Sequence, residues 1–249
     1  MPSAVNAAQQ QWERSFAEQV AKQAYNTAPV ETLVRNVSYY LRARCTPEQI
    51  AQLRFLDMGC GTGPNLVWLA RKGVRVSGVD ISPTALQLAQ EQLEHAGCRD
   101  RVERLVDAPV SAVPFPDASF NGIVEACVFQ HLGKADRLAA FGEVRRLLKP
   151  GGLFAGYLLA AGHTIFQARQ REQMPDDPGT LILSDGRSSI YLNDLGLCHF
   201  YRREEIESLL EDFSIVDVSP STYYLPREES KRRGYETYLQ SMWAVYAIK

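Results

Sequence analysis

Short apolar runs that end in glycine or an acid alternate along this chain with longer stretches whose apolar residues recur every three or four positions. Residues 9–24 place Trp12, Phe16, Val20 and Ala24 four apart, which predicts a helix. A break at residues 25–30 separates it from a second helical stretch, 31–44, with Leu33, Val37, Tyr40 and Leu41 on one face. Residues 54–58 then form a short apolar strand. It runs into three glycines within five residues, and Pro64 opens a new helical pattern. The alternation repeats with strands at 74–80, 102–106, 120–126 and 153–159. The helices between them lie at 83–96 and 134–148, closed by Gly97 and by Lys149-Pro150-Gly151-Gly152. A helix at 203–210 and strands at 213–218 and 241–248 complete the series, the last with Trp243, Val245 and Ala247 alternating against Ala244 and Tyr246.

Strand and helix in repeated succession, closed by an antiparallel pair of strands, predict a doubly wound α/β sheet. The 249 residues and 45% apolar content suffice for one domain with a full core. Within it we expect a helical cap (1–50), a ligand-binding core (51–159), a lid (160–200), and a last helix with a C-terminal hairpin (201–249). The lid is the least regular part, and a connection of this length signals a substrate-binding insertion. It carries His163, a polar helical patch at 167–173, a breaker run at 175–179, and strand-like pieces at 180–183 and 188–192. Asp185-Gly186 between those pieces is a hairpin signal.

The chemistry concentrates at Leu56-Asp57-Met58-Gly59-Cys60-Gly61-Thr62-Gly63. Glycine at alternate positions permits positive φ and removes the Cβ atoms that would hold a ligand off the backbone. The following helix aims its unpaired N–H groups into the same space. A dinucleotide fingerprint would need a third glycine where Pro64 stands, so that match fails. Asp57, two residues before the first glycine, would repel a pyrophosphate and attract a cation. Asp80 closes the second strand about 20 residues beyond the turn, where an acid accepts from both ribose hydroxyls; a helix-start role ahead of Ser82-Pro83 is the alternative.

This octet resembles the first motif of class I S-adenosylmethionine-dependent methyltransferases. The resemblance extends over residues 55–159, taking in Phe120-Asn121-Gly122-Ile123-Val124, with Asn121 in place of the family's usual aspartate, and Leu148-Lys149-Pro150-Gly151-Gly152. It implies a Rossmann-like, seven-stranded, mostly parallel sheet with an antiparallel last strand. It also implies S-adenosylmethionine as cofactor, with S-adenosylhomocysteine as product. The cofactor-binding candidates are Tyr25, Asp57, Gly59, Gly61, Gly63, Asp80, Ile81, Asp107, Ala108, Glu125 and Ala126. Asp107 corresponds to the family's acid on the adenine amino group, and the Ala108 N–H to the donor for a ring nitrogen. Glu125 and Ala126 sit at the end of the fourth strand, beside the topological switch, where the side chain or backbone carbonyls would hold the cofactor's ammonium. Tyr25, in the helical cap, has core packing as its other reading.

His131 follows that strand. It is either a general base for a hydroxyl or amine acceptor or an anchor for the next helix. His199 is a second catalytic candidate, and His163, Tyr191 and His199 are candidates for the acceptor side, against the reading of a lid packed on itself. The leaving thioether is neutral, so a base is needed only where the acceptor must lose a proton. The expected reaction is therefore in-line transfer of a methyl group to oxygen or nitrogen of a small organic acceptor. Asn/Asp-Pro-Pro-Tyr signatures of amide- and base-amine-methylating enzymes are absent after the fourth strand.

Charge and cysteine usage narrow the partners. A net charge of −2 provides no field for nucleic acid or an anionic membrane. No apolar run approaches the roughly 20 residues of a membrane span, and the N-terminus lacks a secretion signal, so a cytoplasmic location is expected. Five scattered cysteines and four dispersed histidines indicate no disulfide frame and no metal. Monomer and homodimer remain equal alternatives. Two other classes stand beside the enzyme: a non-catalytic cofactor-binding or scaffold protein, and a nicotinamide-dependent oxidoreductase, which the failed fingerprint and Asp57 disfavour.

Overall fold

In the computed structural model, which describes residues 4–183 and 196–249, helices cover both faces of one twisted sheet. Helices α1 (Ala4–Ala21), α2 (Glu31–Arg44) and the short α3 (Pro47–Ile50) precede the first strand. Strand β1 (Arg54–Met58) leads through the glycine turn into α4 (Pro64–Arg71), then β2 (Arg75–Asp80), α5 (Pro83–His95) and β3 (Val102–Asp107). Next come β4 (Phe120–Ala126), α6 (Lys134–Leu147) and β5 (Leu148–Leu159). The lid contains α7 (Thr164–Arg169), β6 (Thr180–Leu183) and β7 (Gly196–His199). Helix α8 (Arg203–Leu209), β8 (Ile215–Tyr224), α9 (Arg227–Arg232) and β9 (Leu239–Ile248) close the chain.

The sheet order is β3-β2-β1-β4-β5-β9-β8, with β9 antiparallel to both neighbours and every other pairing parallel. This is the expected doubly wound sheet with its reversed strand. Its order reverses between β1 and β4, which opens a crevice at the carboxyl ends of those strands. The four residues of β1 from Phe55 to Met58 are fully buried, as a central parallel strand requires when helices cover both faces. One face packs Phe120, Phe129, Phe141, Phe154 and Tyr201 under α6 and α8. The other packs Phe55, Leu66 and Leu93 with Leu33, Val37 and Leu41 of α2. A third cluster, with Phe166, Leu181, Phe200 and Tyr238, holds the lid together.

Several boundaries differ from the sequence expectation. Helix α1 starts at Ala4 and stops at Ala21, because Gln23, at φ 49°, turns the chain before Ala24. Strand β5 begins at Leu148 rather than 153, since Leu148 pairs with Phe120 ahead of a register shift in β4. Strands β8 and β9 extend to Tyr224 and back to Leu239, so the expected loop is shorter. Their added residues are mostly exposed, Tyr223 and Tyr224 among them, so no buried apolar alternation marks them as strand. The charge run in that loop forms α9, in which Glu229 pairs with Arg232 and Arg233. In the lid, 180–183 pairs antiparallel with Gly196–His199. The expected turn at Asp185-Gly186, the strand piece 188–192 and Tyr191 lie outside the described residues. Among the described residues, no helix is long and apolar enough to cross a membrane.

Candidate active site

The glycine turn is pinned to the end of β2. The N–H groups of Gly59 and Cys60 both donate to the Val79 carbonyl, at 2.8 and 2.9 Å. The Gly61 N–H donates to Oδ2 of Asp80 at 2.9 Å, and the Ser82 N–H to Oδ1 at 3.0 Å. Asp80 thus arrives with each oxygen fixed by one backbone donor and further lone pairs left for a ligand. Burial pushes its pKa up, against the pull of those amides. Gly59 is required twice over: its φ is 77°, and a Cβ there would lie 2.3 Å from Cγ2 of Val128. Beneath the turn lies Asp57, fully buried, and neither of its oxygens has a hydrogen-bond partner. Burial is the dominant influence on its pKa, opposed by the Asn65 amide, which lies outside hydrogen-bond geometry. Burial, helped by the negative charges of Asp80 and Glu125, raises it to about 8. An orphaned buried carboxylate is costly unless something cationic arrives near it.

A cavity of about 430 Å³ opens over this turn. Its roof is α1, which contributes Trp12, Phe16 and Gln19. The roof is latched by Glu13, whose carboxylate accepts from the Ser82 hydroxyl at 2.6 Å, from the Thr84 N–H at 3.2 Å, and from the Thr84 hydroxyl. Burial pushes Glu13 up, and these bonds outweigh it and hold the acid below its ordinary range. The linker after α1 is tied to the turn as well: the Thr62 hydroxyl donates to the Asn26 carbonyl at 2.7 Å, and the Val30 N–H to Oδ1 of Asn65 at 3.1 Å.

A further wall of the cavity is built by the segment after β4. Cys127 adopts φ 62°, an uncommon state for a non-glycine residue, and turns the chain into a short 3-10 helix, Phe129–His131. The His131 ring lies on the cavity wall with the Trp12 ring edge-on, centroids 5.0 Å apart. Its Nδ1 is 3.0 Å from the Leu197 carbonyl, an acceptor only, and 3.5 Å from the weakly hydrogen-bonding Cys198 Sγ; the shorter contact to the carbonyl assigns the hydrogen to Nδ1 and leaves Nε2 its lone pair. Burial among apolar neighbours lowers its pKa to about 4, with the Leu197 carbonyl opposing, so the ring is neutral at physiological pH. Asp136 and Leu132 complete that wall.

Of the sequence candidates, Gly59, Gly61, Asp80, Ile81, Ala126 and His131 line this one cavity. Gly63 serves as the N-cap of α4, and Asp57 underlies the turn. The remaining candidates are placed elsewhere. Tyr25 does not line the cavity, whereas its neighbour Asn26 does. Asp107 is exposed at the end of β3, and the Ala108 N–H already donates to the Asp80 carbonyl at 3.1 Å; Pro109, Val110 and Ser111 form that wall instead. Glu125 does not reach the cavity. Its Oε1 accepts from the N–H groups of Val128 and Phe129 at 2.6 and 3.1 Å and its Oε2 from Tyr157 at 3.3 Å, while burial raises its pKa to about 7. Glu125 therefore shapes the turn that carries His131.

His163 caps α7 through the Ile165 N–H and packs between Phe200 and Tyr238. His199 is buried away from the cavity, between Thr180 and Glu205. The residues not anticipated as site residues include Trp12, Phe16, Asn26, Thr62, Val128, Asp136 and Leu197. The four-residue spacing of Trp12 and Phe16 and the place of Thr62 in the glycine octet were the legible signals among them. No cluster of three or more metal-ligating side chains occurs among the described residues.

Comparison with known proteins agrees with this geometry. A family model for a methyltransferase domain matches residues 55–152. An O-methyltransferase of Aspergillus nomiae is 33% identical over 157 residues, covering 57% of this chain and 67% of that protein. A methyltransferase of Streptomyces halstedii is 38% identical over 104 residues, 41% of this chain and 36% of that one. The crystal structure of 1,6-didemethyltoxoflavin-N1-methyltransferase from Burkholderia thailandensis, with S-adenosylhomocysteine bound, superposes with a TM-score of 0.59 at 17% identity. It covers 100% of this chain and 92% of that one. The chain belongs to the class I S-adenosylmethionine-dependent methyltransferases. It spans less than half the length of several curated relatives it matches, among them a demethylmenaquinone methyltransferase of Thermus thermophilus, at 45%.

Proposed function

We propose that this chain transfers a methyl group from S-adenosylmethionine to an oxygen or nitrogen atom of a small organic acceptor. The observation that carries this reading is one cavity whose lining joins the glycine turn and Asp80 with Trp12, His131 and Asp136. The residues present fit the cofactor. Asp80 has free lone pairs for ribose hydroxyls, Ile81, Pro109 and Val110 offer an apolar wall for the purine, and the unpartnered Asp57 under the turn favours a cationic ligand above it. When bound, S-adenosylmethionine supplies an electrophilic methyl group on a sulfonium and a neutral thioether leaving group. The chain's own work is to hold the acceptor in line and to exclude water, which the roof of α1 does.

His131 adds a proton acceptor, the Nε2 lone pair. A hydroxyl oxygen that has just been alkylated bears a proton far more acidic than an imidazolium, so a histidine with a pKa of about 4 is basic enough to take it. An amine attacks as its free base and leaves an ordinary ammonium, which such a histidine would not deprotonate. His131 therefore favours oxygen of the two, in keeping with the name of the Aspergillus nomiae relative. The mostly apolar lining suits a small acceptor rather than a nucleic acid.

Calorimetric titration with S-adenosylhomocysteine, with NADH in parallel, tests the cofactor. Micromolar binding of the first and none of the second is expected, and binding of NADH alone would overturn the reading. Transfer of labelled methyl groups to a panel of phenols and amines tests the reaction. Tight cofactor binding with no transfer to any of them would favour a cofactor-binding protein without this activity.

A further inference from the structure

A chain of buried polar groups runs behind the cavity, and the reaction as described makes no use of it. Arg137, in the first turn of α6, is almost fully buried. It donates from Nη2 to Oδ1 of Asp177 at 2.7 Å and from Nη1 to Oδ2 at 3.2 Å. The Thr180 hydroxyl donates to Oδ2 of Asp177 at 2.6 Å, and Thr180 Oγ1 lies 2.8 Å from Nδ1 of His199. Nε2 of His199 meets both oxygens of Glu205 on α8, at 2.9 and 3.0 Å. The chain thus crosses from α6 through the lid hairpin to α8. Thr180 and His199 stand directly opposite each other in the β6–β7 pairing.

Two points of this chain, Arg137 at its α6 end and the strand that carries His199, meet the surroundings of His131. Nη1 of Arg137 also donates to the carbonyl of Leu132, the residue after His131, at 3.2 Å. Two residues from His199 on the same strand, the Leu197 carbonyl accepts from Nδ1 of His131. A four-residue strand in a two-stranded hairpin is a weak platform on its own. Here it is braced against α6 by a buried, bidentate Arg137–Asp177 pair and the buried Thr180 bonds, and against α8 by the part-buried His199–Glu205 contact; bidentate pairing fixes direction as well as distance.

We propose that Arg137, Asp177 and Thr180 are positioning residues for the acceptor side of the reaction, acting through β7 to keep the Leu197 carbonyl on Nδ1 of His131. The proposal rests on the reading of His131 as the proton acceptor. The brace selects the tautomer in which Nδ1 carries the hydrogen and Nε2 keeps its lone pair. Without it the ring exchanges tautomers, and the population able to accept a proton at Nε2 falls.

The test is nitrogen-15 imidazole NMR of the full chain, with S-adenosylhomocysteine bound, in wild type, Thr180→Val, Thr180→Ser and Arg137→Lys. Wild type and Thr180→Ser, which keeps the hydroxyl, are expected to show His131 protonated at Nδ1 alone. Thr180→Val and Arg137→Lys are expected to show a mixture of tautomers. Folding is verified by the amide spectrum, and one folded variant of the two suffices. A folded Thr180→Val or Arg137→Lys with the wild-type tautomer overturns the proposal. The tautomer is read without turnover, so the two readings fail separately. Wild-type methyl transfer in His131→Ala would remove the proton-acceptor role, and with it the catalytic purpose of the brace, while the tautomer shift would still report whether the brace holds the ring.

Discussion

Asp57→Asn exposes the conflict between stability and binding that the orphaned carboxylate creates. In the folded chain burial raises the pKa of Asp57 to about 8, from an ordinary value of 3.8. Between those values the folded state holds a proton that the unfolded state has released. Raising the pH through that window therefore destabilises the fold, by about 1.4 kcal/mol per pH unit. From pH 5 to pH 8 the loss attributable to this group is about 4 kcal/mol, and it is fully avoided only below the unfolded pKa. Asparagine has nearly the same shape and does not titrate. Its amide is buried without partners too, at a cost of about 1–3 kcal/mol that is independent of pH and cancels when one variant is compared across pH. Glu125 and Asp80 titrate in both proteins and largely cancel as well. Urea denaturation of the cofactor-free chain at pH 5 and pH 8 should show Asp57→Asn gaining about 4 kcal/mol on wild type between the two. The same substitution should weaken S-adenosylhomocysteine binding at pH 8. A stability difference that stays constant within about 1 kcal/mol across this range would refute the burial argument.

Three further outcomes follow from the site. Asp80→Ala removes the acceptor of the Gly61 and Ser82 amides and the proposed ribose anchor, and should weaken S-adenosylhomocysteine by about 1–3 kcal/mol in calorimetry; unchanged affinity would take Asp80 out of the binding site. Gly59→Ala combines left-handed strain with the Val128 clash at 2.3 Å and should cost about 2–5 kcal/mol in denaturant unfolding. Adding Val128→Ala should recover the steric part alone, and no recovery would mean that the turn, not the wall, sets the cost. His131→Ala should leave cofactor affinity intact while slowing transfer to a hydroxyl acceptor by roughly 100-fold or more in initial-rate assays; wild-type turnover would make it a packing residue.

The doubly wound architecture and the part of the site whose logic is local were legible in neighbouring residues. The strand at 54–58, the glycine turn and Asp80 lie within 27 residues of one another, and apolar period, turn chemistry and strand end are all written in neighbouring residues. The same alternation narrows the possible strand orders, because short right-handed crossovers leave few ways to wind such a sheet, while the order itself is set by packing.

What depends on a partner distant in the chain emerges only on packing. Glu125 at the end of the fourth strand and His131 just after it are equally prominent. Glu125 bonds the nearby amides of Val128 and Phe129, but only the packed fold adds the Tyr157 amide, 32 positions away, and leaves the imidazole on the cavity wall. His199 has the composition of a catalytic residue but is enclosed by Thr180, Glu205 and Tyr201, with Thr180 19 positions away. Trp12 and Phe16 announce a helix by their spacing, yet the surface that helix covers is set by Glu13 finding Ser82 and Thr84 some 70 residues later. Periodicity reports that a face will be buried. Which groups share that burial, and whether a polar group meets a partner or a ligand there, is settled only when the elements pack, since the cost of an unpaired buried group is a property of the assembled environment.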